Sequence, residues 1–283
     1  MVAHLNTTKY WVNDMTRFVL TNGKSITKPF NKIWIILGIL IVLVVFFSYF
    51  IQYDPRYIVL SELSVLFEKL FTPRGTRTWS DYFAYMLTLK DPLISTLQMS
   101  FAGTIMGSIL AIPVAIFAAK NIAKYPIIYV PMRFLMNLIR TIPALILALI
   151  AVMFVGIGVL PGIIAITIFT FGIMAKMLYE VIETIDMNSY EALESTGANK
   201  IQAFRYAVFP QIFPIYISYL VYIFEINVRS SAILGYVGTE GIGSVIKDNI
   251  LYNYDRVGAA IIVMFVLILT IQFISNLIRR KLQ

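Results

Sequence analysis

Long apolar runs separated by short polar stretches dominate the chain. Positions 33–53 are free of charge over 21 residues, 92–119 over 28 and 141–175 over 35, and two later runs, 210–233 and 257–278, are nearly as apolar. A bilayer core about 30 Å thick takes roughly 20 apolar residues to cross as a helix, so each run is long enough. The apolar positions are continuous rather than alternating, which predicts helices and not barrel strands. The 141–175 run is too long for one crossing, and the sequence GIGVLPG at 156–162 breaks it. It divides into helices over about 132–155 and 160–180. The pattern predicts an all-α polytopic membrane protein with about six transmembrane helices. In the second run Ala102, Gly103, Gly107, Ser108 and Ala111 recur at spacings that let another helix approach closely.

Composition and charge then orient the spans. The chain is 59% apolar and 13% charged, whereas about a quarter of a soluble domain is charged. The net charge of +8 comes from Lys and Arg at the ends of apolar runs, a topology signal rather than a nucleic-acid stripe. Lys9, Arg17, Lys24, Lys28 and Lys32, then Lys120, Lys124 and Arg133, then Arg279, Arg280 and Lys281 mark alternate segments as internal. The 54–91 connection balances five basic against five acidic residues and belongs outside. Both termini are therefore expected in the cytoplasm of a multi-pass protein of the cell (plasma or inner) membrane. The polar connection before the fifth span is expected there too. The first run shows no cleavage pattern and is read as a retained helix, with Trp34 and Tyr49 at its interfaces. The chain has no Cys and one His, His4 in the polar N-terminal segment, so a His/Cys metal cluster is not expected. The TNGKS stretch at 21–25 has Phe18 where a P-loop needs glycine, so no nucleotide site is expected in this chain.

The connection before the fifth span reads NSYEALESTGANKIQAFRYAVFPQ (188–211). Asn188 is placed to cap a short helix, with Glu191 completing a capping box, and Gly197 suits the left-handed position that ends it. A second helix over 199–209 sets Ile201, Phe204 and Val208 on one face, and Pro210 marks the turn into the fifth span. An ordinary amphipathic connection fits these residues, with Glu191 acting only as a cap.

The same residues resemble the EAA loop of ABC importer permeases. Glu191, Ala192, Leu193, Gly197 and Pro210 fall at the spacing of that motif, with Leu193 for its second alanine and Ala207 and Phe209 for its usual Ile and Leu. RTIPALI (140–146) and FEINVRSSAILGYVGTEGIG (224–243) are similar to segments of the phosphonate-type branch, with Thr239 and Glu240 where glycine or alanine is usual. The resemblance covers about 92–278 and implies a type I ABC importer permease fold over 92–283, with an ATPase-coupling loop at 188–210. Residues 1–91 then form a cytoplasmic segment, the first helix and an extracytoplasmic connection. It further implies a homodimer, two copies of a partner ATPase that bind ATP and Mg, and an extracytoplasmic binding protein. The implied cargo is a phosphonate or related phosphorus oxyanion. The chain itself is expected to hold no cofactor and to catalyse nothing.

Charges inside apolar runs are costly and draw attention. Glu225 and Arg229 lie one helical turn apart, in the order that favours a mutual ion pair. Alternatively Arg229, with Asn227 and Ser230, faces the translocation path and attracts an oxyanion. A rise of about 1.5 Å per residue sets Arg229 roughly 28 Å from Pro210, toward the outer side. Arg140 either snorkels to the headgroups or lines the path, with Thr141 and Pro143 shaping a bend. The glycine-rich 235–243 stretch follows a membrane helix rather than a strand and is read as a loop or re-entrant turn, not a dinucleotide site. Lys247, Asp248, Asp255 and Arg256 are expected on a solvated face. Tyr57, Phe67, Trp79, Tyr82, Phe83 and Tyr85 are expected as interfacial anchors. Two other readings remain open: an ABC permease for another small solute such as an amino acid, and an ion-coupled carrier, for which Glu225 lacks a carboxylate partner in another span.

Overall fold

The structure is a computed structural model that describes residues 17–19, 25–27, 32–50, 60–123 and 125–282. His4, Lys9, Lys24, Lys28, Tyr57 and Lys124 lie outside the described residues. The chain divides into two compact units, Met1–Leu60 and Ser61–Gln283. In the first, β1 (Arg17–Val19) pairs antiparallel with β2 (Ser25–Thr27), and α1 (Lys32–Phe50) is apolar around its whole circumference, as a lipid-immersed helix must be.

The second unit is helical. α2 (Leu60–Phe71) and α3 (Trp79–Thr88) precede α4 (Lys90–Ala118), α5 (Pro126–Thr141), α6 (Ala144–Val155) and α7 (Val159–Thr184). The short α8 (Asn188–Ser195) and α9 (Lys200–Ala203) lead into α10 (Phe209–Leu234), and α11 (Ile242–Asn249) and α12 (Tyr254–Leu282) complete it. Among the described residues, four stretches are long and apolar enough to cross a membrane: Trp79–Ala118, Val159–Thr184, Lys200–Val237 and Tyr254–Leu282. The centre is the α4/α7 pair, the most extensive helix contact, where Gly103 and Gly107 bring α4 against Ile166, Thr167 and Thr170. At Gly107 a Cβ would collide with the Thr167 carbonyl, so the small-residue stripe is what permits this approach.

The expected third span over 132–155 is not one helix. α5 and α6 meet at 86°. Pro143 has no N–H to continue the ladder and holds Ile142 extended, with ψ 119°. α6 has 12 residues, about 18 Å at the helical rise, so it reaches only part of the way across the bilayer. α5 is amphipathic and continues back to Pro126, six residues before the expected start.

The glycine-rich turn closes the other end of the bundle. A 3-10 turn at Gly235–Val237 ends α10, and at the α6/α7 break the Gly158 N–H donates to the Gly238 carbonyl while the Gly158 carbonyl accepts from the Glu240 N–H. The chain then re-enters as α11, whose Ile242 N–H donates to the buried Thr96 hydroxyl at 3.0 Å. Thr239 is buried and Glu240 exposed. The expected solvated face is corrected at two of its four positions. Lys247 and Asp248 are exposed, but Asp255 is buried on Arg77 at 2.6 Å and Arg256 lies over the Tyr85 ring. Among the expected anchors, Phe67, Trp79 and Phe83 are exposed. Tyr82 is buried, its hydroxyl donating to the Leu70 carbonyl at 3.3 Å.

Candidate functional site

Two sites hold part of the predicted set, one outside the bundle and one within it. The first is the α8–α9 hairpin. Gly197 has φ +92°, and its N–H donates to the Glu194 carbonyl while the Ala198 N–H donates to that of Leu193. This is the left-handed helix end that glycine adopts without strain. The expected capping by Asn188 does not occur. The Asp186 carboxylate takes the Asn188 N–H at 2.9 Å, Met187 stands at the N-cap, and Asn188 is already inside α8. The capping box belongs instead to α9, where Asn199 and Gln202 exchange side chain to backbone bonds; the N-x-x-Q spacing is the sequence signal for it.

One face of the hairpin is anchored and the other is bare. Met187, Tyr190 and Phe204 pack against the cluster formed by α4, α5, α7 and α10, and Val208 is part of that cluster. Burial pushes the Tyr190 phenol above its ordinary pKa, and its hydrogen bond to Glu194 adds to the rise. Ile201, expected on the same face, is 80% exposed. Glu191 and Ala192 are exposed and Leu193 is half-buried. The Glu191 carboxylate has no hydrogen-bond or ion-pair partner among the described residues, so it does not cap α8. Before Pro210 the helix widens to a π-turn over Phe204–Val208, because Pro210 offers no N–H to the Tyr206 carbonyl.

A platform under the hairpin was not foreseen. Arg133 of α5 donates through Nε and Nη2 to the Ala118 carbonyl at 2.8 Å, capping α4, and pairs with Glu183 of α7. Its guanidinium lies over the Tyr129 and Tyr179 rings. Glu183 also accepts from the Lys120 N–H, and Asn121 donates to the Ile182 carbonyl. These bonds hold the ends of three helices together next to α8.

The second site lies in the bundle. Glu225 is 6% exposed, and each of its carboxylate oxygens meets a different guanidinium. Oε1 pairs with Arg229 one turn along α10, and Oε2 with Arg279 of α12 at 3.5 Å. The expected ion pair is therefore present, with a third member that sequence reading missed because it lies 54 residues away. Arg279 also donates to Asn276 at 2.9 Å. The contact with the last turns of α12 sets Glu225 beside the basic end of that helix. Asn227 is fully buried on another face and donates to Thr104 and Thr170, both at 2.8 Å, tying α10 to α4 and α7. It is not grouped with Arg229, and Ser230 is half-buried. Arg140 and Thr141 are exposed at the α5/α6 break, away from the Glu225 cluster in sequence and element. The Arg140 backbone packs against Gly172 of α7. Among the described residues no group of His, Cys, Asp or Glu is arranged to hold a metal ion.

Comparison with known proteins places this geometry. Residues 111–283 match the family model described as binding-protein-dependent transport system inner membrane component. The phosphite transport system permease protein PtxC of Stutzerimonas stutzeri is 34% identical over 71% of this chain and 73% of its own length. The phosphate-import permease protein PhnE of Mycolicibacterium smegmatis is 36% identical over 66% of this chain and 35% of its own. In fold, the chain resembles a solved subunit of the inward-facing MetNI methionine ABC transporter, with a TM-score of 0.63, 24% identity, and coverage of 70% of this chain and 97% of that one. The chain belongs to the family of binding-protein-dependent transport system inner membrane components, and it is a permease subunit of an ABC transport system.

Proposed function

From that membership we propose that the chain is the membrane-spanning subunit of an ATP-driven importer for a phosphorus oxyanion of the phosphonate or phosphite class. Two copies form the pathway, and each docks one ATPase subunit on the cytoplasmic side, which binds and hydrolyses ATP with Mg. A binding protein delivers the anion from the other side, and both termini face the cytoplasm. The permease contributes no reacting group. Its part is to present a docking helix and a path that opens alternately to either side.

The observation that carries the coupling role is the two-faced α8 hairpin. Tyr190 and Met187 fix it to the bundle, while Glu191 and Ala192 are exposed and the Glu191 carboxylate has no partner among the described residues. A short helix held on one side and bare on the other suits a groove on a partner. Glu191, Ala192, Leu193, Gly197 and Pro210 form this element. Arg140, Thr141, Glu225, Asn227, Arg229 and Ser230 are assigned to the path or its support. Asn227 supports it by holding α4, α7 and α10 together, while Arg229 offers charge to an oxyanion. Support for the cargo comes from the phosphite and phosphate permeases among the relatives. The test is uptake by the reconstituted complex, with its binding protein, across phosphonates, phosphite, phosphate and amino acids. Accumulation of phosphonates or phosphite is expected, and accumulation of amino acids alone would overturn the cargo assignment.

A further inference from the structure

The Glu225 cluster contains more positive charge than an ion pair needs. An i, i+4 pair would be complete with Arg229 alone, yet Arg279 reaches the second carboxylate oxygen from another helix. The three side chains carry two positive charges and one negative. Two sets of donors are unspent. The Arg279 Nε–H is buried and has no partner among the described residues, and the Arg229 side chain is 47% exposed. A buried, orphaned charged donor is costly unless something completes it.

We propose that Arg229 and Arg279 form a site for a tetrahedral phosphorus oxyanion, and that Glu225 occupies it as an internal stand-in while the anion is absent. A carboxylate bridging two guanidinium groups gives each of them one anionic oxygen, the kind of acceptor that arginine takes from a phosphoryl group. A phosphoryl group has three oxygens and up to two negative charges. It matches the two arginines in charge and offers an acceptor for the idle Nε–H. Glu225 offsets one of the two positive charges and keeps the pair closed to stray anions, and it yields to a ligand with more charge and more oxygens. The inference rests on the cargo proposed above, but the same chemistry is offered by a phosphomonoester lipid headgroup, that of phosphatidic acid. An apolar crevice of about 230 Å³ between α4, α10 and α12, lined by Phe101, Ile105, Leu220, Phe224, Ile274 and Ile278, lies beside the cluster and would suit an acyl chain.

The test uses the complete permease–ATPase complex in nanodiscs. In phosphatidylcholine discs, Glu225→Gln is expected to bind radiolabelled phosphite about tenfold more tightly than wild type, and Arg279→Gln in that background to remove the gain. If phosphite binding is unchanged but Glu225→Gln retains more phosphatidic acid, measured by mass spectrometry of the bound lipid after exchange, the ligand of the site is the headgroup. The inference is overturned if neither ligand gains, or if the gain survives Arg279→Gln. Should Glu225→Gln not assemble, Arg279→Gln alone is expected to lose wild-type phosphite or phosphatidic acid binding, with Arg280→Gln as the control; equal loss in both would overturn the proposal. Phosphite uptake without any gain in Glu225→Gln would overturn this inference alone, whereas uptake of amino acids only would overturn the cargo assignment.

Discussion

Glu191 and Glu225 are the same residue type in opposite surroundings. Glu191 stands on α8 in the open, its carboxylate without a partner among the described residues. Glu225 is buried in the bundle, and each of its oxygens is claimed by an arginine. A solvated carboxylate costs nothing to leave unpaired, so it is available to another protein. A carboxylate among membrane helices must be paired, so it is committed to its own chain until something of like charge replaces it. The contrast separates a surface that waits for a partner from a cluster that is already satisfied, and substitutions at the two positions should fail in different ways.

The largest effect is expected at Glu191. Glu191→Arg should reduce binding-protein-stimulated ATPase activity at least about a hundredfold, near 2.7 kcal/mol of coupling, while thermal unfolding of the purified permease stays unchanged. Unaltered stimulation would remove α8 from the docking role. Glu225→Ala should show the reverse order of effects. Breaking a fully buried pair costs about 3–5 kcal/mol. Both arginines here are partly solvated, which lowers the expectation to about 2 kcal/mol in a thermal-unfolding measurement. At Gly197, valine should cost about 1–2 kcal/mol for its left-handed backbone and weaken coupling, and Gly197→Asn should recover most of the loss. Asn227→Leu removes two buried hydrogen bonds and should destabilise by about 1 kcal/mol. The smallest effect is Glu191→Ala, expected to leave unfolding within about 0.5 kcal/mol of wild type.

What was legible in the sequence is what depends on near neighbours. The apolar runs gave the helices, the spacing of small residues gave a close helix contact on α4 without naming α7 as its partner, and Gly197 with Pro210 gave the hairpin. The Glu225–Arg229 pair could be read because its members lie one turn apart. Arg279 could not, since its part depends on α12 packing against α10. Arg133 likewise reads as a topology marker, and only the fold shows it bonded to the Ala118 carbonyl and seated between two tyrosines. Asn188 misled because two cap candidates compete there, and Asp186 wins by reaching the N–H two residues on. The third span misled because the length of an apolar run does not reveal that Pro143 turns it through 86°.

The account is tested most directly by phosphite uptake into proteoliposomes that carry the permease with its ATPase and binding protein. It predicts accumulation that requires ATP and is lost in Glu191→Arg, while that variant still inserts and folds. Accumulation driven by an ion gradient without the ATPase, or full ATP-driven uptake by Glu191→Arg, would contradict it.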